Sequence, residues 1–110
     1  MADQSYTVFA DNAYTVVLID IDRENCKINY LGYPLDLTKS EYAIFLAVFD
    51  CDRKGISADS ISQKSGRAKA MNERDIAVHV HNINQKSRRI GMRNIILQKR
   101  GVGYFINPNP

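Results

Sequence analysis

Two consecutive stretches decide the architecture: ERDIAVHVHNINQKSRRI, from Glu73 to Ile90, and IILQKRGVGYFI, from Ile95 to Ile106. In the first, Ile76, Val80, Ile83, Ser87 and Ile90 recur at spacings of four, three, four and three, which sets them on one stripe of a helix over 73–90. Turning by roughly 100° per residue, that helix projects Arg74, Val78, His81, Asn82, Gln85, Arg88 and Arg89 away from the stripe. The outer face mixes hydrogen-bond donors, acceptors and cations and holds almost no acid. Reading a base edge in a groove needs donors and acceptors together, and gripping the phosphates on either side needs cations. In the second stretch, the β-prone triplets Ile95–Leu97 and Tyr104–Ile106 flank Gln98-Lys99-Arg100-Gly101-Val102-Gly103, which predicts a hairpin over 95–106 with cations at its tip, a wing. Its glycines do not make a dinucleotide-binding loop, because the third glycine position is Ile106.

Upstream of the long helix, Arg67 to Asn72 reads as a basic connector, and before it a short helix can be capped by Ser57, helped by Asp59, anchored by Ile61 and ended by Gly66. Two helices joined by a short turn, the second with a polar outer face, follow the helix-turn-helix plan. The first helix is signalled by Thr38-Lys39-Ser40-Glu41, a capping box, with Tyr42, Phe45, Leu46 and Phe49 on one face as far as Cys51. Phe45 is expected to meet Ile83, because these two helices must bury their apolar stripes against each other. Asp50, Asp52 and Gly55 match positions one, three and six of a calcium loop, but Lys54 and Ile61 occupy positions five and twelve, so the segment reads as a plain loop. At the N-terminal end, Tyr6–Ala10, Tyr14–Ile21, Cys26–Leu31 and Leu35–Leu37 read as four short antiparallel strands, with Gly32 and Pro34 as punctuation.

Composition sets the outer bounds. At 110 residues, 45% hydrophobic and 25% charged, the chain predicts one folded domain, with 1–37 as sheet, 38–91 as a three-helix core and 95–106 as wing. Cys26 and Cys51 form neither a metal-ligand spacing nor a disulfide framework, and no apolar run has membrane-span length; a cytoplasmic protein without cofactors is expected. The net charge of +3 is divided unevenly: residues 1–52 carry three basic against nine acidic side chains, and residues 53–110 carry twelve against three. A polyanion would therefore be met by the C-terminal half. Catalysis has little support, since no nucleophile motif occurs and no dense carboxylate cluster outside the turns of the sheet; Asp20 and Asp22 face the same side and could hold an acid pair, but a solvated sheet face or a cation-linked turn explains them more cheaply. His79 and His81 diverge by about 160° around a helix, which argues against a metal pair and for His79 as a packed or backbone-bonded residue.

The succession of a four-stranded sheet, Leu37-Thr38-Lys39-Ser40-Glu41-Tyr42, a short helix ending at Gly66, Val78-His79-Val80 and finally Arg100-Gly101-Val102-Gly103-Tyr104 resembles the OmpR/PhoB-type winged helix-turn-helix, the output domain of many bacterial response regulators. The resemblance covers roughly residues 14–106, and the Arg-Gly-x-Gly-Tyr segment is its most specific piece. It implies an α+β winged helix-turn-helix fold: an N-terminal antiparallel four-stranded sheet, three helices and a C-terminal β-hairpin wing. It also implies sequence-specific binding of double-stranded DNA by a bacterial transcriptional regulator, with the long helix in the major groove and the wing in the minor groove.

On that resemblance, Arg74 falls on a backbone-contacting arginine, Val78, His81 and Asn82 fall where bases are read, and Arg100 falls on the arginine entering the minor groove. Gln85 completes the base-reading face, and Arg67, Lys69, Lys86, Arg88 and Lys99 join Arg74 as expected phosphate contacts. Other roles are weighed beside these: Arg88 and Arg89 also suit a helix C-terminus, Tyr104 suits packing, and Arg100 could pair with an acid such as Asp36. The chain departs from the family pattern at Ala77, usually acidic; at Ser65, often tryptophan; and at His81-Asn82-Ile83-Asn84-Gln85, usually Arg-Arg-Leu-Arg-Lys. This thinning of arginines supports an alternative, a winged-helix module that binds RNA polymerase or a signalling partner and reads DNA weakly. A homodimer on DNA is a further expectation. The family's phosphoacceptor domain is missing from these residues, and Met1 before a polar leader points to a free-standing protein rather than an excised domain.

Overall fold

The computed structural model describes residues 4–9, 16–30, 32–51, 54–65 and 71–107. Along the chain run β1 (Gln4–Phe9), β2 (Val16–Asp22), β3 (Lys27–Tyr30), β4 (Tyr33–Leu35), α1 (Lys39–Asp50), α2 (Ala58–Lys64), α3 (Glu73–Arg89), β5 (Ile96–Lys99) and β6 (Gly103–Ile106). The first four strands form one antiparallel sheet in sequence order, and the last two form a separate hairpin.

Alternation along the sheet produces its buried face. In β3, Lys27 and Asn29 are exposed while Ile28 and Tyr30 are buried. The register Ile19↔Tyr30, Ile21↔Ile28 and Ile28↔Leu35 stacks these side chains on one side of the sheet. Asp22 sits beyond the buried run, and its carboxylate caps the following turn by accepting from the Asn25 backbone N–H at 3.2 Å and from Asn25 Nδ2 at 2.8 Å. The fourth strand is Tyr33–Leu35 rather than Leu35–Leu37. Pro34, read from the sequence as a break, lies inside it, because β4 is an edge strand and the missing N–H can face away from β3. Gly32, at φ 82°, makes the tight reversal between Tyr30 and Tyr33 possible.

The three helices among the described residues each begin at a side-chain cap. Thr38 Oγ1 accepts from the Glu41 N–H and the Glu41 carboxylate accepts from the Thr38 N–H, closing the capping box of α1. Ser57 caps α2, and Asn72 and Asp75 cap each other at the start of α3. At its far end α3 stops one residue earlier than Ile90: Gly91, at φ 85°, donates to the Arg88 carbonyl and Met92 donates to the Ser87 carbonyl, a Schellman closure. Gly66, expected to end α2, lies outside the described residues, as does Asp52; Asp50 instead pairs with Arg23 at 3.1 Å.

Ile44, Phe45 and Val48 of α1, Ile61 of α2, Ile76 and Ile83 of α3, the sheet residues above, and Ile95, Ile96 and Tyr104 form one buried cluster. Phe45 and Phe49 stack with ring centroids 6.1 Å apart. The wing is tied to the helical core through a bridge in which Ile56 and Tyr104 exchange backbone hydrogen bonds of 2.8 and 2.9 Å. Gly103 has φ +97°, and a Cβ there would lie 2.4 Å from the Ile56 carbonyl oxygen; Gly55 has the mirror problem with the Val102 carbonyl at 2.4 Å. The Gly-x-Gly of the wing is thus a close-packing device. Among the described residues, no helix is long and apolar enough to cross a membrane.

Because Phe45 is fully buried, Phe45→Ala should cost about 3–5 kcal/mol in denaturant melts. A loss under about 1 kcal/mol would contradict its place in the core. Gly103→Ala, which meets both a forbidden φ and a backbone clash, should cost more than about 1 kcal/mol by the same measurement.

Candidate nucleic-acid interface

The face that could meet a polyanion is built on α3. Ile76, Val80, Ile83 and Ser87 turn inward, while Arg74, Val78, His81, Gln85, Arg88 and Arg89 are exposed. Val78 is 52% exposed. Asn82 is half-buried at the edge of this face, and Ile90, the last residue of the predicted stripe, is the half-buried C-cap. The wing presents Lys99, Arg100 and Val102 at its exposed tip, where Gly101 at φ 81° permits the turn. Arg100 makes no ion pair with a described residue; the suggested partner, Asp36, offers its carbonyl to Lys86 instead.

The geometry between helix and wing is fixed by buried polar side chains, of which sequence reading placed Ser87 on the inward stripe but missed Asn84 and Asn107. Asn84 is 7% exposed; its Nδ2 donates to the Ile96 carbonyl at 3.0 Å and its Oδ1 accepts from the Ile96 N–H at 3.0 Å. The carboxamide thus satisfies both backbone groups of the first residue of β5. Ser87 Oγ donates to the Arg93 carbonyl, Asn107 Nδ2 donates to the Asn94 carbonyl at 2.8 Å, and Arg88 donates to Asn94 Oδ1 at 2.6 Å. A signal was present: residues 76, 80, 83, 84 and 87 complete a wide inward stripe, so Asn84 falls on the core side.

Among the described residues, the basic side chains of α3 and the wing tip divide into two groups. Lys86 Nζ donates to Glu41 Oε1 at 2.6 Å and to the Asp36 carbonyl at 2.7 Å, which occupies it in joining α3 to the start of α1. Arg88 is exposed but bonded to the wing root. Arg74, Arg89, Lys99 and Arg100 are exposed and make no ion pair with a described residue. Arg67 and Lys69 lie outside the described residues. His79 is half-buried beside Glu41, and its Nδ1 has no hydrogen-bond partner among the described residues, so packing rather than a backbone bond at that atom holds it. Tyr104 is 3% exposed and packs between wing and core; burial, with Glu73 nearby, pushes its hydroxyl upward. No cluster of three or more potential metal ligands occurs among the described residues.

Burial alone would raise the Glu41 carboxyl, but the Lys86 hydrogen bond, the Thr38 N–H and the charges of Lys86 and His79 outweigh it and hold the group below the usual glutamate value. A carboxylate depressed in the folded state stabilises the fold above its unfolded pKa, and that contribution is lost as pH falls through the folded value. The stability advantage of the native chain over Glu41→Gln should therefore shrink as pH falls below about 4.3. Chemical denaturation of both proteins across that range checks it, and a difference independent of pH would contradict the pairing.

No protein-family model and no curated protein matches the chain. Solved structures do. The DNA-binding domain of the response regulator AdeR, in complex with an intercistronic region, matches with a TM-score of 0.70 and 27% identity over 84% of this chain and 95% of that one. The RstA DNA-binding domain of Klebsiella pneumoniae, in complex with the RstA box, matches with a TM-score of 0.68 and 15% identity over 96% of this chain and 99% of that one. The DNA-binding domain of CpxR from E. coli matches with a TM-score of 0.64 and 21% identity over 96% of this chain and all of that one. The chain therefore shares its winged-helix fold with the DNA-binding domains of these response regulators.

Proposed function

We propose that the chain binds double-stranded DNA sequence-specifically as the DNA-binding part of a bacterial transcriptional regulator in the cytoplasm. The recognition helix α3 enters the major groove and the wing reaches the neighbouring minor groove. The observation that carries this reading is the outer stripe of α3: uncharged reading groups Val78, His81, Asn82 and Gln85, with Arg74 at one end and Arg89 at the other, beside the cationic wing tip. A helix spans roughly 22 Å between residues fifteen apart, more than the roughly 12 Å major groove, so both arginines can reach phosphate backbones while the centre faces bases. The fold is the one that AdeR and RstA use in their complexes, which supports the same docking here.

Binding a protein, RNA polymerase or a signalling partner, is a second reading. It is favoured by one observation: the centre of α3 carries no free cation, since Lys86 is engaged with Glu41. A homodimer on DNA is compatible with either.

Salt dependence separates the two. With Arg74, Arg89, Lys99, Arg100 and the connector cations supplying four or five phosphate contacts, the log–log salt slope for a monomer should be about −3 to −5. Arg100→Gln should make that slope shallower by about 1, whereas Lys86→Gln, already committed internally, should leave it unchanged. Fluorescence anisotropy with random duplex at several salt concentrations measures all three. No binding even at low salt would favour the protein-partner reading.

A further inference from the structure

Which base pairs α3 can read depends on which of its side chains are free, a question that rests on the DNA-binding reading above. The commonest contact specifying guanine is an arginine or lysine donating twice to O6 and N7. On α3 no cation near the centre is free to make that contact. Lys86 is bonded to Glu41 and the Asp36 carbonyl, and Arg88 is bonded to Asn94 at the wing root. Arg74 and Arg89 stand at the two ends, where the backbones pass. Asn84 is withdrawn as well, since both ends of its carboxamide are used on Ile96.

Three kinds of group remain at the centre. Asn82 and Gln85 carry carboxamides that make no hydrogen bond with a described residue, and a carboxamide matches the N6 donor and N7 acceptor of adenine. Val78 offers an exposed apolar surface, which fits the 5-methyl group of thymine and little else in the major groove. His81 has, when neutral, one donor and one acceptor, so it cannot make the two-donor clamp on guanine. We propose that α3 is a reader of A·T pairs, with Asn82 and Gln85 on adenine and Val78 on a thymine methyl, and that it holds no dedicated reader of guanine. The wing agrees with this choice, because a narrow A·T-rich minor groove attracts a cation such as Arg100 through its potential.

The test starts from sites selected out of a random duplex pool by the 110-residue chain, followed by titrations with base analogues. The selected core should be rich in A·T pairs. Replacing its thymines with uracil removes only the methyl groups and should weaken binding about three- to fivefold. Replacing its adenines with 7-deazaadenine removes only N7 and should weaken binding about five- to tenfold. Val78→Ala, an exposed change that leaves the core untouched, should abolish the uracil penalty, and Asn82→Ala should reduce the 7-deazaadenine penalty. Selected cores rich in G·C, indifference to both analogues, or penalties that persist in the variants would overturn the A·T assignment alone. Failure to bind any duplex at low salt would overturn the DNA-binding reading beneath it.

Discussion

The two hydrogen bonds between the Asn84 carboxamide and the backbone of Ile96 hold the rest of the interface in place. They convert a helix and a hairpin, separated by a glycine-closed loop, into one rigid unit. A buried carboxamide left without partners would cost about 1–3 kcal/mol, so the alternative arrangements of the wing that break this pair are disfavoured. On the other side of the wing, the Ile56–Tyr104 bridge is possible only because Gly55 and Gly103 lack side chains. The wing is therefore gripped from both sides, by a side chain of α3 and by the backbone of the loop between α1 and α2. Its cationic tip is carried at a fixed offset from the outer face of α3, which two-groove binding needs.

Charge on this protein serves two purposes that look alike in a sequence. Lys86 and Glu41 make a partly buried pair that also closes the capping box of α1, so one carboxylate satisfies the helix start, the neighbouring helix and part of the core boundary. Such a pair is costly to break because the surviving charge stays buried. Arg74, Arg89, Lys99 and Arg100 have no comparable obligation among the described residues and remain available to a partner. The count of available cations is lower than the sequence suggests, and their placement at the ends of α3 and the wing tip is more ordered.

Local signals carried most of the fold. The capping residues Thr38 and Ser57, the apolar spacing from Ile76 to Ser87, and the alternation through Ile28 and Tyr30 each act over a few residues, so the sequence displays them directly. What was not legible depended on distant partners. Pro34 reads as a strand breaker until β4 is known to lie at the edge of its sheet. Lys86 reads as a surface cation until Glu41, forty-five residues away, is seen beside it. Asn84 reads as one more polar residue on a polar helix until Ile96 is placed against it. Gly103 reads as part of the Arg-Gly-x-Gly-Tyr segment of the wing, and only the Ile56 carbonyl explains why no side chain fits.

The central claim is that the outer face of α3 and the wing tip act together on duplex DNA. Amide and side-chain chemical-shift mapping of the isotopically labelled chain during titration with duplex tests it most directly. The account predicts that the largest changes fall on Arg74, Val78, His81, Gln85 and Arg89 and, in the same titration, on Lys99 and Arg100, while the Asn84 carboxamide resonances keep the signature of their bonds to Ile96. Changes confined to the strands β2 to β4 or to α1, or movement of the helix signals without the wing signals, would contradict it.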